Sequence, residues 1–187
     1  MMNSIVVDFL KERLNENDFD YAVMVANTAK TISKSIPSVN MELLVISSYL
    51  SNVCWIRYEK SIENIGNMGS LSSEMAKEIL ESMKFSEKSV GAICDSISKS
   101  CCANNDTAEQ QVLFESVLIC RIGARGLYYW GSVLGFDKYL EMLPAFLDDA
   151  EMFIMSEKGK ALAAERVAFS RNLLSSFRRE IEEIGYI

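Results

Sequence analysis

Four polar residues, Ser47, Ser48, Ser51 and Asn52, interrupt the otherwise apolar stretch 43–55. Hydroxyls and amides carried into an interior need partners or cost roughly 1–3 kcal/mol each, so this run marks a place where something polar is to be met. A second set is cationic and aromatic: Arg121 and Arg125 precede Tyr128, Tyr129 and Trp130, and Arg166 follows later in the chain. Guanidinium groups beside aromatic faces can hold a phosphate and stack a base, or they can pair with carboxylates while the rings close a core. Both readings stand at this level. Asp148, Asp149 and Glu151 form an acidic run of the kind that makes a solvated face.

The chain contains no histidine. That removes the commonest general base and the imidazole metal ligand, and with them every Ser/His/Asp or Cys/His nucleophile system. No GxxxxGK[ST] loop and no CxxC pair occurs. Any catalysis has to rest on carboxylates, Lys, Tyr or Cys. The five cysteines lack metal-type spacing. Cys54, Cys94 and Cys120 fall on apolar faces as small core residues, whereas Cys101 and Cys102 form a more exposed vicinal pair without a neighbouring activating group.

A net charge of -7 without a basic run argues against nucleic acid or an anionic membrane as partner. No apolar run reaches spanning length, and acidic residues in MMNSIVVDFLKERL stand where a signal peptide would be basic and then apolar. A cytoplasmic, single-domain chain over 1–187 is expected. The oligomeric state is left open.

The elements that must position these residues are helical. Ile5, Val6, Phe9, Leu10 and Leu14 give a short opening helix; Val25, Ala29, Ile32 and Ile36 mark a second over 19–36, ending before Pro37. The stretch 43–55 reads as a central helix packed on all sides. After a glycine-containing loop, Leu71, Met75, Ile79 and Met83 mark a fourth helix, and Ser86 caps a fifth with Val90, Ile93 and Ile97 inward. Asp106 with Glu109 reads as a capping box for a long helix through Leu113, Val117, Cys120, Ala124 and Leu127 to Gly135, with the 123–126 glycine pair inside it. Pro144 interrupts a short piece from Asp137. Ser156 starts a final helix with the stripe Leu162, Phe169, Leu173, Phe177, Ile181 and Ile184. No segment alternates as a strand does, which gives an all-α bundle of about eight helices.

The chain resembles, in order and nearly end to end, the HD superfamily of metal-dependent phosphohydrolases, in particular its small stand-alone bacterial and archaeal members. DYAVMVANTAKTI is similar to the family's first motif, LLVISSYLSNV to its "LLAALLHDI" helix, and SSEMAKEIL to "GAEIAREIL". Further on, ESVLICRIGARGLYYWG is similar to "DADRLDAIGAIGIAR", and EKGKALAAERVAFSRNLLSSF to a C-terminal segment with "A.ER..F".

The resemblance implies an all-α fold and, in the family, a divalent ion held by a His, a His-Asp pair and a distant Asp. Carried over residue by residue, the first His falls on Tyr21, the pair on Ser51 and Asn52, and the distant Asp on Val117. All four ligand types are replaced, so no catalytic residue, no metal and no cofactor is expected here. Glu115 falls on the first Asp of its motif, as a vestige or simply a solvated carboxylate, the latter favoured. The expectation is a catalytically inactive relative that acts as a binding or regulatory module, with a nucleotide or phosphorylated metabolite as partner and Glu115, Arg121, Arg125 and Arg166 as candidate contacts. The alternatives are a divergent phosphohydrolase acting on nucleotides, and a scaffold whose pocket is filled by side chains.

Overall fold

The computed structural model describes residues 2–184 and is all-α among them, with ten α-helices and one 3-10 turn. The two helices beyond the expected eight have local origins. Ser61, whose hydroxyl accepts from the Asn64 amide, starts a short helix inside the anticipated glycine loop, and the anticipated long helix is broken at Ile122. The chain clusters into two compact units, Met1–Val117 and Leu118–Ile187.

In the first unit the helices are α1 (Met2–Arg13), α2 (Glu16–Ser33), α3 (Met41–Leu50), α4 (Ile62–Gly66), α5 (Met68–Ser82) and α6 (Glu87–Ser98), followed by the greater part of α7 (Ala108–Arg121). Helix α3 is central, touching α1, α2, α5 and α6. Asn40 caps its start by accepting from the amides of Glu42 and Leu43. Leu44, Val45, Ile46 and Leu50 are buried, as its apolar sequence requires.

Helix α3 is shorter than the apolar run suggests. It stops at Ser51, Asn52 leaves helical geometry at φ −124° and ψ 19°, and Val53–Ile56 continues as a single 3-10 turn. The serines account for part of this. Ser48 Oγ donates to the Leu44 carbonyl at 2.7 Å and Ser51 Oγ to the Ser48 carbonyl at 2.9 Å, so these buried hydroxyls are satisfied within their own helix, a bonding pattern that competes with helix continuation.

Helix α2 starts earlier than its apolar pattern because Asn15 caps it, its Oδ1 accepting from the Asp18 amide at 3.0 Å. Ser86 caps α6 as expected. The start of α7 is held differently from the expected Asp106–Glu109 box: Thr107 Oγ1 accepts from the Gln110 amide and Gln110 Oε1 from the Asp106 amide, while Glu109 accepts from the backbone of Asn40. Cys54 and Cys120 are buried, Cys94 and Cys101 half-buried and Cys102 exposed.

In the second unit the helices are α8 (Gly123–Leu134), α9 (Phe136–Phe153) and α10 (Glu157–Ile184), with Gly135 ending α8 as expected. Pro144 lies inside α9 without breaking it. The burial of Tyr139, Leu140, Leu143, Phe146 and Leu147 around it outweighs the one backbone bond a proline removes. Ser156 caps α10 by accepting from the Gly159 amide. The buried face of α10 centres on Ala163 and Ser170 rather than on the larger apolar residues, and Phe169, expected inside, is exposed. The Ile184 side chain lies outside the described residues.

Candidate functional site

In the first unit, Tyr21 lies on α2, Ser51 and Asn52 directly follow the last residue of α3, and Glu115 and Val117 lie on α7; all five are buried. Asn52 is fully enclosed, and its Nδ2 donates across to the Asp18 carbonyl of α2 at 3.0 Å. This bond fixes the end of α3 against α2 one turn before Tyr21, since residues three apart share a helix face. The other end of the same amide, Oδ1, is buried and has no hydrogen-bond partner among the described residues. Ser47 Oγ and Trp55 Nε1 are in the same condition. Buried polar atoms are nearly always partnered, so spare capacity gathered along 47–55 is a departure from ordinary packing.

Glu115 corrects an expectation. It is fully buried rather than solvated, and accepts from Gln111 Nε2 at 2.9 Å one turn earlier on α7. Val117 is also fully buried.

Asp18 was not singled out by the sequence. It is 1% exposed, with Oδ1 at 2.6 Å from Lys60 Nζ and Oδ2 at 2.6 Å from Asn15 Nδ2. The signal that could have found it is the cap: an Asn at the helix boundary followed three residues later by an acid is the pattern of a reciprocal cap, here hidden in a segment that reads as a loop. Lys60 comes from the loop before α4 and keeps a quarter of its side chain in solvent. Cys54 follows Asn52 in the 3-10 turn, and burial pushes its thiol up to about 11. It is a packing group rather than a nucleophile.

The cationic and aromatic set belongs to the second unit and is put to other uses. Arg166 reaches from α10 to the last turn of α7, where Nη1 donates to the Ile119 carbonyl at 2.8 Å, the favourable position for a cation at a helix C-terminus. The Arg121 guanidinium lies over the Phe146 ring at 5.6 Å, and the Arg121 carbonyl accepts from Tyr139 Oη at 3.0 Å. Tyr129 and Trp130 are buried and meet edge to face at 5.3 Å. Arg125 is exposed, and Tyr128 is 74% exposed. The 123–126 glycine pair lies at the start of α8, not inside a continuous helix: Gly123 takes φ +79°, and its amide donates to Ser170 Oγ at 2.9 Å.

A divalent ion takes carboxylate, imidazole or thiolate donors. At the four positions implied by the resemblance the side chains are a phenol, a hydroxyl, a carboxamide and an isopropyl group, which do not fit such an ion. Among the described residues no group of three or more His, Cys, Asp or Glu is placed to hold a metal. No described helix is long and apolar enough to cross a membrane.

No protein-family model and no curated protein sequence matches this chain. Solved structures do. Bacillus subtilis YpgQ is similar at a TM-score of 0.72 and 13% identity, over 96% of this chain and 95% of that one. The same protein in complex with ADP gives a TM-score of 0.67 at 14% identity, with 98% of each chain covered. A predicted HD superfamily hydrolase from an uncultured Thermotogales bacterium gives 0.61 at 14% identity, over 95% of this chain and 91% of that one. Identities this low speak for the fold, and they do so over nearly the whole length. The chain therefore shares its all-α fold with these structures, one of which is a predicted HD superfamily hydrolase, in line with the fold expected from the order of its sequence segments.

Proposed function

We propose that this protein is a metal-independent, catalytically inactive binding module built on an HD-type fold, and that it takes a nucleotide or phosphorylated metabolite where Tyr21, Ser51 and Asn52 replace metal ligands. The observation that carries the reading is Asn52. Its amide is enclosed and held by one end on Asp18, while its acceptor end is left without a partner among the described residues. A relict position kept only for packing would be filled by an apolar side chain, because an unsatisfied buried carbonyl costs free energy. The choice of a phosphate ligand draws on YpgQ, whose structure has been solved with ADP. A hydrolytic reading would need a gathered set of anionic or imidazole donors, and the four carried-over positions offer none.

Isothermal titration of ADP into the protein in excess EDTA tests this reading. Saturable binding without release of inorganic phosphate is the expected result. Hydrolysis that EDTA abolishes, or one tightly held divalent ion per chain by elemental analysis, would overturn it.

A further inference from the structure

The positive charge that a phosphate ligand needs has to come from somewhere when no metal-type donor set is present among the described residues. Among the described residues the first unit holds a built candidate in which the carboxylate is buried. Asp18 has both carboxylate oxygens engaged, Oδ1 by Lys60 Nζ and Oδ2 by Asn15 Nδ2, each at 2.6 Å, and its main-chain carbonyl takes Asn52 Nδ2 at 3.0 Å. The carboxylate is 1% exposed, whereas the Lys60 side chain remains 25% exposed. A buried carboxylate saturated in this way is a holder, and what it holds is an ammonium that still reaches solvent. Tyr21 stands one turn from Asp18 on the same helix face, and the Asn52 amide is fixed to the same residue.

We infer that Lys60, seated on the buried Asp18 carboxylate, is the fixed cation that receives the phosphate of the ligand in place of a metal ion. This rests on the binding role proposed above and names its anion contact. An ammonium suits the task. It is a compact point charge with three donors, and pairing with Asp18 sets its position at the edge of the Tyr21–Asn52 region. It attracts phosphate but cannot deliver an activated water as a metal-bound hydroxide would, which agrees with binding without turnover. The purely structural reading of the same pair is an ion lock that merely ties the segment before α4 to α2. The two differ in what ligand does to Lys60.

The test uses the full chain in EDTA, with ADP and inorganic pyrophosphate as separate probes. Both should bind the wild type, more weakly as salt rises. The double variant Asp18→Asn with Lys60→Met removes both charges together and leaves no buried unpaired one. It should stay helical by circular dichroism and bind both probes about tenfold or more weakly, as expected for loss of a charge-assisted hydrogen bond. Lys60→Arg should retain most of the affinity. An independent readout needs no variant: ADP should slow acetic anhydride labelling of Lys60, followed by mass spectrometry, relative to the exposed Lys138. Equal affinity in the double variant, or labelling of Lys60 unaffected by saturating ADP, overturns the assignment while the binding role stands. A wild type that binds neither probe overturns both.

Discussion

Two polar regions of this protein invited a functional reading, and they have opposite hydrogen-bond economies. Around Asp18, Asn52 and Lys60 the first unit keeps acceptor and donor capacity that packing does not use, at Asn52 Oδ1, Ser47 Oγ and Trp55 Nε1. Around Arg121 and Arg166 the second unit spends its cations on its own backbone and rings: the Ile119 carbonyl, the Phe146 face, the end of a helix. A guanidinium near aromatics is the more conspicuous feature in a sequence, yet the less conspicuous carboxamide keeps an acceptor without a partner among the described residues. What separates the two regions is how their named groups are engaged, not their residue types.

The largest expected effect would break this comparison from its first side. Lys60→Met alone strands the buried Asp18 carboxylate, and removing one member of a buried pair costs about 3 kcal/mol, the low end of the usual range because the ammonium is partly solvated. Urea unfolding should show that loss, and adding Asp18→Asn should recover most of it. A single variant as stable as the wild type would mean that the pair does not hold in solution.

Next in size is Arg166→Met, which keeps the aliphatic stem and removes the donor to Ile119. A lost hydrogen bond from a charged group to a helix-terminal carbonyl should lower stability by about 2 kcal/mol while leaving ADP affinity unchanged. The distinction between the regions would collapse if affinity fell and stability did not.

An effect confined to alkaline pH, and absent at neutrality, sharpens the first side. Burial, opposed in part by a hydrogen bond with Ser72, raises the Cys54 thiol from about 9 to about 11. Above pH 9 the unfolded chain has lost this proton and the folded chain still holds it, so the stability contribution is complete below that pH and declines as pH rises toward 11. The slope should approach about 1.4 kcal/mol per pH unit, read as a falling urea midpoint, and Cys54→Ala should flatten it. An unchanged slope would place water at Cys54 and loosen the region beside Asn52.

Legibility in the sequence follows the range of the cause. The caps Ser86 and Ser156 were readable because a hydroxyl and the amide it accepts from lie within one turn. The end of α3 was not, since an apolar run continues through Asn52 and only the serine-to-carbonyl bonds and the amide's pull toward Asp18 stop the helix. Pro144 was misjudged because packing of its own helix outweighs a local rule, and Phe169 because α10 lays small residues against its neighbours. The Asp18–Lys60 pair spans 42 residues of sequence and belongs to no motif. The fold was visible through helical periodicity and the order of its segments, while the element that completes the candidate site is a long-range contact that periodicity cannot encode.

The junction between α7 and α8 carries a consequence for how this sequence can drift. A Cβ at Gly123 would come within 2.9 Å of the Arg166 side chain, and one at Gly126 within 2.6 Å of the Arg121 backbone. The first can be relieved only by moving the arginine that caps α7, and the second meets main chain that cannot yield. In a library of random substitutions selected for soluble expression, positions 123 and 126 should be nearly invariant, although neither belongs to the proposed ligand site. Asn52 should show the reverse signature, admitting changes under a folding screen that a screen for ligand capture rejects.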